Sequence, residues 1–166
     1  MKHIYYIFLF TLILTSCNLD ENPDPTISEI GVWQITEVRS SWGFDPVPAS
    51  ELEYNETYEF RSDGTFTKIN SEFNQSLSGV YTVEDPEDIF EDRVKFFLTL
   101  TFNQDDLSAL AEELQERNPD SSEAIFLNWM VYSNTQDTER LIMEHDGNLI
   151  NAGYGVMDGP IFVYEK

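Results

Sequence analysis

The sequence predicts a mostly β fold: an antiparallel, up-and-down β-barrel of about eight to nine strands with one inserted α-helix. Three observations predict it. Residues 93–102 alternate, with Val94, Phe96, Leu98, Leu100 and Phe102 on one face and Lys95, Thr99 and Thr101 on the other; Phe97 is the single exception. Two Asp-Gly pairs, Asp63-Gly64 and Asp146-Gly147, stand between alternating runs as tight hairpin turns. Aromatic residues make up 14% of the chain, a share that suits pleated surfaces better than helices. Closing the sheet removes its exposed edges, so the last strand is expected to pair with the first.

Taken in order, residues 31–38 form the first strand, rich in β-branched and aromatic side chains. Residues 40–50 carry Gly43, Pro46 and Pro48 and read as a loop. Residues 57–61 and 65–69 flank the first Asp-Gly turn. Residues 77–83 put Leu77, Gly79, Tyr81 and Val83 on one face, and residues 84–92 form an acidic turn. At residues 105–117 the period changes: Leu107, Leu110, Ala111 and Leu114 fall at helical spacing, Asp105 and Asp106 suit the N-terminus, and Asn118-Pro119 stops the helix. Strand character returns at 124–132, at 140–145 and 148–152 around the second Asp-Gly turn, and at 161–164. No internal repeat is apparent, which argues against a propeller or solenoid.

The N-terminus sets the expected location. Met1-Lys2-His3 is a short basic region, and residues 4–14 are apolar apart from Thr11 and two tyrosines. Spanning a bilayer takes ~20 apolar residues, so this run has the length of a secretory signal and not of a membrane helix. Leu14-Thr15-Ser16-Cys17 resembles the bacterial lipoprotein signal, which implies cleavage before Cys17 and acylation of that cysteine. Residues 1–16 are then a signal peptide, 17–30 an acylated flexible tether and 31–166 the barrel domain. The tether starts Asn-Leu-Asp-Glu-Asn-Pro-Asp-Pro, a composition that favours a solvated linker. Its acids after Cys17 resemble the surface-export signal of Bacteroidetes lipoproteins. The implied location is the outer membrane, with exposure at the cell surface. Cys17 is the only cysteine, so no disulfide is expected within the chain.

Charge excludes several partners. The chain carries 31 acidic residues against nine Lys and Arg, a net charge of −22. Cleavage leaves 166 − 16 = 150 residues and removes Lys2, giving −23. Such a domain is repelled by nucleic acid and by anionic lipid head groups, so nucleic-acid binding is not expected and membrane attachment rests on the lipid at Cys17.

Gly31-x-Trp33 at the start of the first strand, the two Asp-Gly hairpins and the closing Phe-Val-Tyr-Glu-Lys resemble the lipocalin-like lipoproteins of Bacteroidetes. The resemblance spans residues 31–166 and implies an eight-stranded barrel whose base is closed by Trp33. Departures are the helix-bearing insertion at 103–123 and the absence of the helix that lipocalins usually carry before their last strand.

Three functions follow as expectations. The first is binding of a small apolar or amphipathic ligand inside the barrel, against Tyr58, Phe60, Tyr81, Phe96, Leu98 and Trp129. The second is a non-enzymatic structural or interaction protein of the envelope, its barrel filled by its own side chains and an aromatic patch exposed on its outside. The third is a hydrolase built on convergent acids or on His145, the only histidine after Cys17. No nucleophile motif accompanies His145, and a bland turn histidine accounts for it. No catalytic residue, cofactor or resident metal is expected. One histidine cannot build a several-His zinc site, and the acids of 84–92 lack the EF-hand spacing for calcium. Asn55-Glu56-Thr57 matches a glycosylation sequon by chance.

Overall fold

A computed structural model of the chain describes residues 28–40, 42–117, 119, 131, 137–153 and 159–166. Among the described residues there are nine strands: β1 (Gly31–Ser40), β2 (Val47–Pro48), β3 (Glu56–Phe60), β4 (Thr65–Asn70), β5 (Ser76–Glu84), β6 (Val94–Phe102), β7 (Thr138–Glu144), β8 (Leu149–Asn151) and β9 (Pro160–Glu165). One helix, α1 (Gln104–Arg117), follows β6, and one 3₁₀ turn, Ala49–Glu51, follows β2. All strand pairings are antiparallel, in the order β2-β1-β3-β4-β5-β6-β7-β8-β9, and β9 returns to pair with β1. Eight strands therefore close into an up-and-down barrel and β2 is an extra short strand on β1. The closing seam runs from Gln34–Glu165 to Ser40–Pro160, with a bulge between Ile35 and Glu37.

The hairpins form because their turn residues accept the required backbone. Gly64 and Gly147 have φ of 81° and 97°, a region that a side chain disfavours. The Asp63 Oδ1 accepts hydrogen bonds from the Thr65 amide at 3.0 Å and the Thr65 hydroxyl at 2.6 Å, which fixes the return strand.

Register divides the barrel into two ends. Gly31, Phe60, Gly64, Val94, Gly147 and Glu165 lie at one, here the Trp33 end. Ser40, Glu56, Asn70, Ser76, Phe102, Thr138 and Asn151 lie at the other, which leads into α1. Helix α1 begins where Asn103 Oδ1 accepts the Asp105 amide at 2.9 Å. Its buried residues, Leu107, Leu110, Ala111 and Leu114, belong to the same apolar cluster as the inward-facing Phe66, Leu77 and Phe102. The helix thus covers the barrel's end, and Ile69 and Val80 on the outer wall stay about half exposed.

Two carboxylates hold α1 in place. Asp106 accepts the Ser78 amide at 2.8 Å and the Ser78 hydroxyl at 2.5 Å. Glu113 accepts the amides of Asn74 and Gln75 at 3.1–3.2 Å and pairs with Arg117. Partial burial raises the Glu113 carboxyl, but the Asn74 hydrogen bond and the Arg117 charge outweigh it and hold the group below its ordinary value of 4.5. A lowered folded value stabilises the fold above the unfolded value and ceases to do so as pH falls through the folded one. Glu113→Gln is therefore expected to lower the urea midpoint at neutral pH and to approach the wild type in acid, once pH has fallen through the lowered folded value. A wild-type-to-variant difference that does not change with pH would show that the carboxylate's charge is not what holds the helix.

Three details differ from the sequence reading. The 40–50 segment is not all loop, because β2 pairs with Glu37 and Val38 once β3 has separated from β1. Phe97 faces outward yet is buried, since Phe90 folds onto it edge-on at 6.2 Å and the Arg140 guanidinium stacks on it at 4.0 Å. Val83 keeps the inward parity but is 49% exposed, because β4 pairs with β5 only as far as Val80, leaving the end of β5 with β6 alone. The expected strand at 124–132 lies outside the described residues, apart from Val131, which is buried in the core.

Candidate functional site in the barrel interior

Inward-facing positions are set by parity along each strand. On β3 these are Glu56, Tyr58 and Phe60; on β4, Phe66, Lys68 and Asn70; on β7, Glu139, Leu141 and Met143. Asn151 of β8 and Tyr164 of β9 are buried among them. The interior is therefore two-toned. Aromatic and aliphatic side chains fill it towards the Trp33 end, and charged and amide side chains enter it from the end nearer α1.

Lys68 is the centre of the polar part. Its ammonium donates to Glu139 Oε1 at 2.9 Å, lies 3.6 Å from Glu56 Oε1 and sits 4.9 Å from the centre of the Tyr58 ring. The Tyr58 hydroxyl donates to Glu139 Oε2 at 2.7 Å, and the Tyr164 hydroxyl donates to Glu56 Oε1 at 2.5 Å. Asn70 Nδ2 donates to Glu56 Oε2 at 3.0 Å, and Asn151 Nδ2 donates to the Tyr58 hydroxyl at 3.4 Å. The side chains of Lys68, Glu56 and Glu139 have no exposed surface. Among the described residues no buried side-chain nitrogen or oxygen lacks a hydrogen-bond partner. That is how charges survive in a barrel core: each is paired and hydrogen-bonded.

The Trp33 end is closed by apolar contact. Tyr58 stacks with Phe60 at 5.9 Å and meets Tyr164 edge-on at 5.0 Å; Phe60 meets Tyr81 edge-on at 5.1 Å. Trp33 is 1% exposed and donates from Nε1 to the Glu29 carbonyl at 2.6 Å. Lys166 lies 5.5 Å from the Trp33 ring, and its Nζ donates to the Ser28 carbonyl at 3.1 Å.

The structure brings together five of the six residues expected at a ligand site. Tyr58, Phe60 and Leu98 are at most 1% exposed, Phe96 is 8% exposed, and Tyr81 is half-buried with its hydroxyl donating to the Arg61 carbonyl at 2.8 Å. Trp129 lies outside the described residues. Sequence reasoning missed Glu56, Lys68, Asn70, Glu139 and Asn151. Their signal was parity, because each falls in phase with inward-facing apolar neighbours on its strand.

Other candidate chemistry falls elsewhere. His145 accompanies Asp92, Arg93, Glu144 and Asp146 along an open groove of about 320 Å³, its Nε2 2.9 Å from the Glu91 carbonyl oxygen. Burial, with Asp146 adding to it, raises the Glu144 carboxyl there above its ordinary value. None of the lining residues is a serine or cysteine. Convergent acids do exist, as Glu56 and Glu139, but Lys68 stands between them and water reaches neither side chain. Among the described residues no three His, Cys, Asp or Glu side chains converge to hold a metal ion. No protein-family model, curated protein or solved structure matches this chain.

Proposed function

We propose that the chain is a lipid-anchored, extracytoplasmic lipoprotein whose lipocalin-like barrel is filled by its own side chains and works as a non-enzymatic interaction module of the cell envelope. The observation that carries the reading is the packing of the interior. Tyr58, Phe60, Leu98, Lys68, Glu56 and Glu139 are at most 1% exposed, so almost no water-sized space touches them. A small apolar ligand at these residues would have to displace packed aromatic rings or break the Lys68 ion pairs, at a cost of several kcal/mol. That sets the filled-barrel reading ahead of ligand carriage. A hydrolase would need its acids to meet water and substrate, and these do not.

The lipocalin likeness draws support from the Gly31-x-Trp33 pair at the start of β1, with Trp33 sealing one end of a closed eight-stranded barrel. The anchor rests on Leu14-Thr15-Ser16-Cys17 after an apolar run of signal length. Several acyl chains on Cys17 would hold the protein durably, at ~0.8 kcal/mol per buried CH₂, in the outer membrane and facing outward. Native mass spectrometry of the acylated protein from its host tests the filled barrel. The expected mass is that of the lipidated chain alone, and a small molecule retained in stoichiometric amount would overturn the reading. Cys17→Ala is expected to move the protein from the membrane to the soluble fraction, which fractionation reads directly; unchanged partitioning would sink the anchor.

A further inference from the structure

The 3₁₀ turn at Ala49–Glu51 lies against β1, and the chain that follows it leaves a pocket of about 570 Å³, lined by Gln34, Ser50, Glu53, Tyr54, Asn55 and Ser71. Its size is that of small-molecule sites, ~300–1,000 Å³. Ala49, Leu52 and Tyr54 of the lining pack against the barrel core, so that side of the pocket is fixed. The polar side is tied together. Gln34 Nε2 donates to Asn55 Oδ1 at 3.2 Å, the Asn55 amide donates to Ser71 Oγ at 2.8 Å, and the Ser71 amide donates to the Asn55 carbonyl at 2.9 Å. Resting on the interaction-module reading above, we infer that this pocket binds a short stretch of a neutral saccharide chain.

The hydrogen-bonding groups left over select that ligand. The bonds just named leave the Gln34 side-chain oxygen as an acceptor, and the Asn55 side-chain NH₂ and the Ser71 hydroxyl hydrogen as donors. Among the described residues the Ser50 hydroxyl and the Glu53 carboxylate have no hydrogen-bond or ion-pair partner. Donors and acceptors thus stand together beside a small apolar area. A sugar hydroxyl both donates and accepts, and the C–H face of a sugar ring covers apolar surface, so a saccharide uses every part of the lining. An apolar ligand would strand the polar groups. No Lys or Arg lines the pocket and Glu53 does, so phosphates and uronic acids meet a like charge with no cation to pair with. The pocket adjoins Asn55 and Ser71, at the barrel end away from Ser28, where the tether joins and Lys166 holds it. A glycan chain reaches it there without entering the barrel.

An array of neutral oligosaccharides, uronic-acid oligosaccharides and blocked neutral peptides, probed with the detergent-solubilised acylated protein, tests this. Retention is expected on neutral oligosaccharides alone, and little changed between low and high salt, because no ion pair forms. The best-retained oligosaccharide is then titrated in solution. Gln34→Ala combined with Asn55→Ala should weaken its binding about ten-fold or more, with unchanged thermal unfolding, since both side chains are exposed. Phe44→Ser, at an exposed residue outside the pocket, should bind as the wild type does. No retention on neutral oligosaccharides, stronger retention on uronic acids or peptides, binding abolished by salt, or binding that survives the double variant overturns the inference. Native mass spectrometry of the same preparation reads the barrel interior separately. A bare lipidated mass with no neutral oligosaccharide retained removes the saccharide site and leaves the filled barrel standing.

Discussion

Replacing Lys68 with methionine is expected to cost the barrel about 3–5 kcal/mol, a large part of the stability of a domain this size. Methionine matches the lysine stem in length, so the change removes the charge and leaves the packing nearly intact. What remains is two carboxylates, Glu56 and Glu139, inside a barrel where neither has exposed surface. The ammonium at 2.9 Å from one and 3.6 Å from the other is what makes their burial tolerable. The tyrosine hydroxyls and the Asn70 amide satisfy hydrogen bonds but carry no charge. A compensated variant separates charge from shape. Lys68→Met combined with Glu56→Gln and Glu139→Gln has no buried charge and should recover most of the loss, because neutral amides can still accept from Tyr58 and Tyr164. Urea unfolding of the three proteins at neutral pH decides it. A single variant within about 1 kcal/mol of wild type would mean that the carboxylates do not depend on the ammonium.

The same cluster marks the limit of what the sequence made legible. The positions of eight of the nine described strands, the two Asp-Gly turns, the helix and closure of β9 on β1 came from parity, turn residues and the wish to leave no open edge. Parity also located the interior wherever the inward residue was apolar, as at Tyr58, Phe60, Phe96 and Leu98. It failed where the inward residue was charged. Glu56 stands in phase with Tyr58 and Phe60, and Lys68 with Phe66, yet an isolated charge in an apolar phase reads as a strand end turning to solvent. The correct reading needs the partner, and the partner is remote: Glu139 is 71 positions from Lys68, and Tyr164 is 108 from Glu56. No window on one strand contains both halves of such a pair. The open groove of about 390 Å³ beside Phe44 escaped for a related reason. Its walls are Val38 and Pro160, neighbours only because the barrel closes.

Closure also imposes a steric demand, and Gly79→Ala measures it. Gly79 lies opposite Phe66 on β4 and Phe102 on β6, and those two rings meet edge-on at 5.2 Å across it. A methyl group at Gly79 would run into the Thr101 carbonyl oxygen and would stand 2.8 Å from Phe66 Cε1. The Phe66 ring can move by repacking, but the Thr101 carbonyl belongs to the backbone of β6 and shifts only with the strand. Here β5 lies close against β6, and the Ser78 carbonyl accepts the Asn103 amide at 2.8 Å, just ahead of α1. An alanine in an unstrained strand gains about 0.4–1 kcal/mol by restricting the unfolded chain, so the sign of the effect is itself the test. Here the expected change is a loss of about 3 kcal/mol, the upper part of the range for overpacked cores, with loosened protection of the Ser78 and Asn103 amides in hydrogen exchange. Adding Phe66→Leu to Gly79→Ala relieves the ring but not the carbonyl, and should restore less than half of the loss. If Gly79→Ala is neutral or stabilising, the close approach of β5 to β6 just ahead of the helix is wrong.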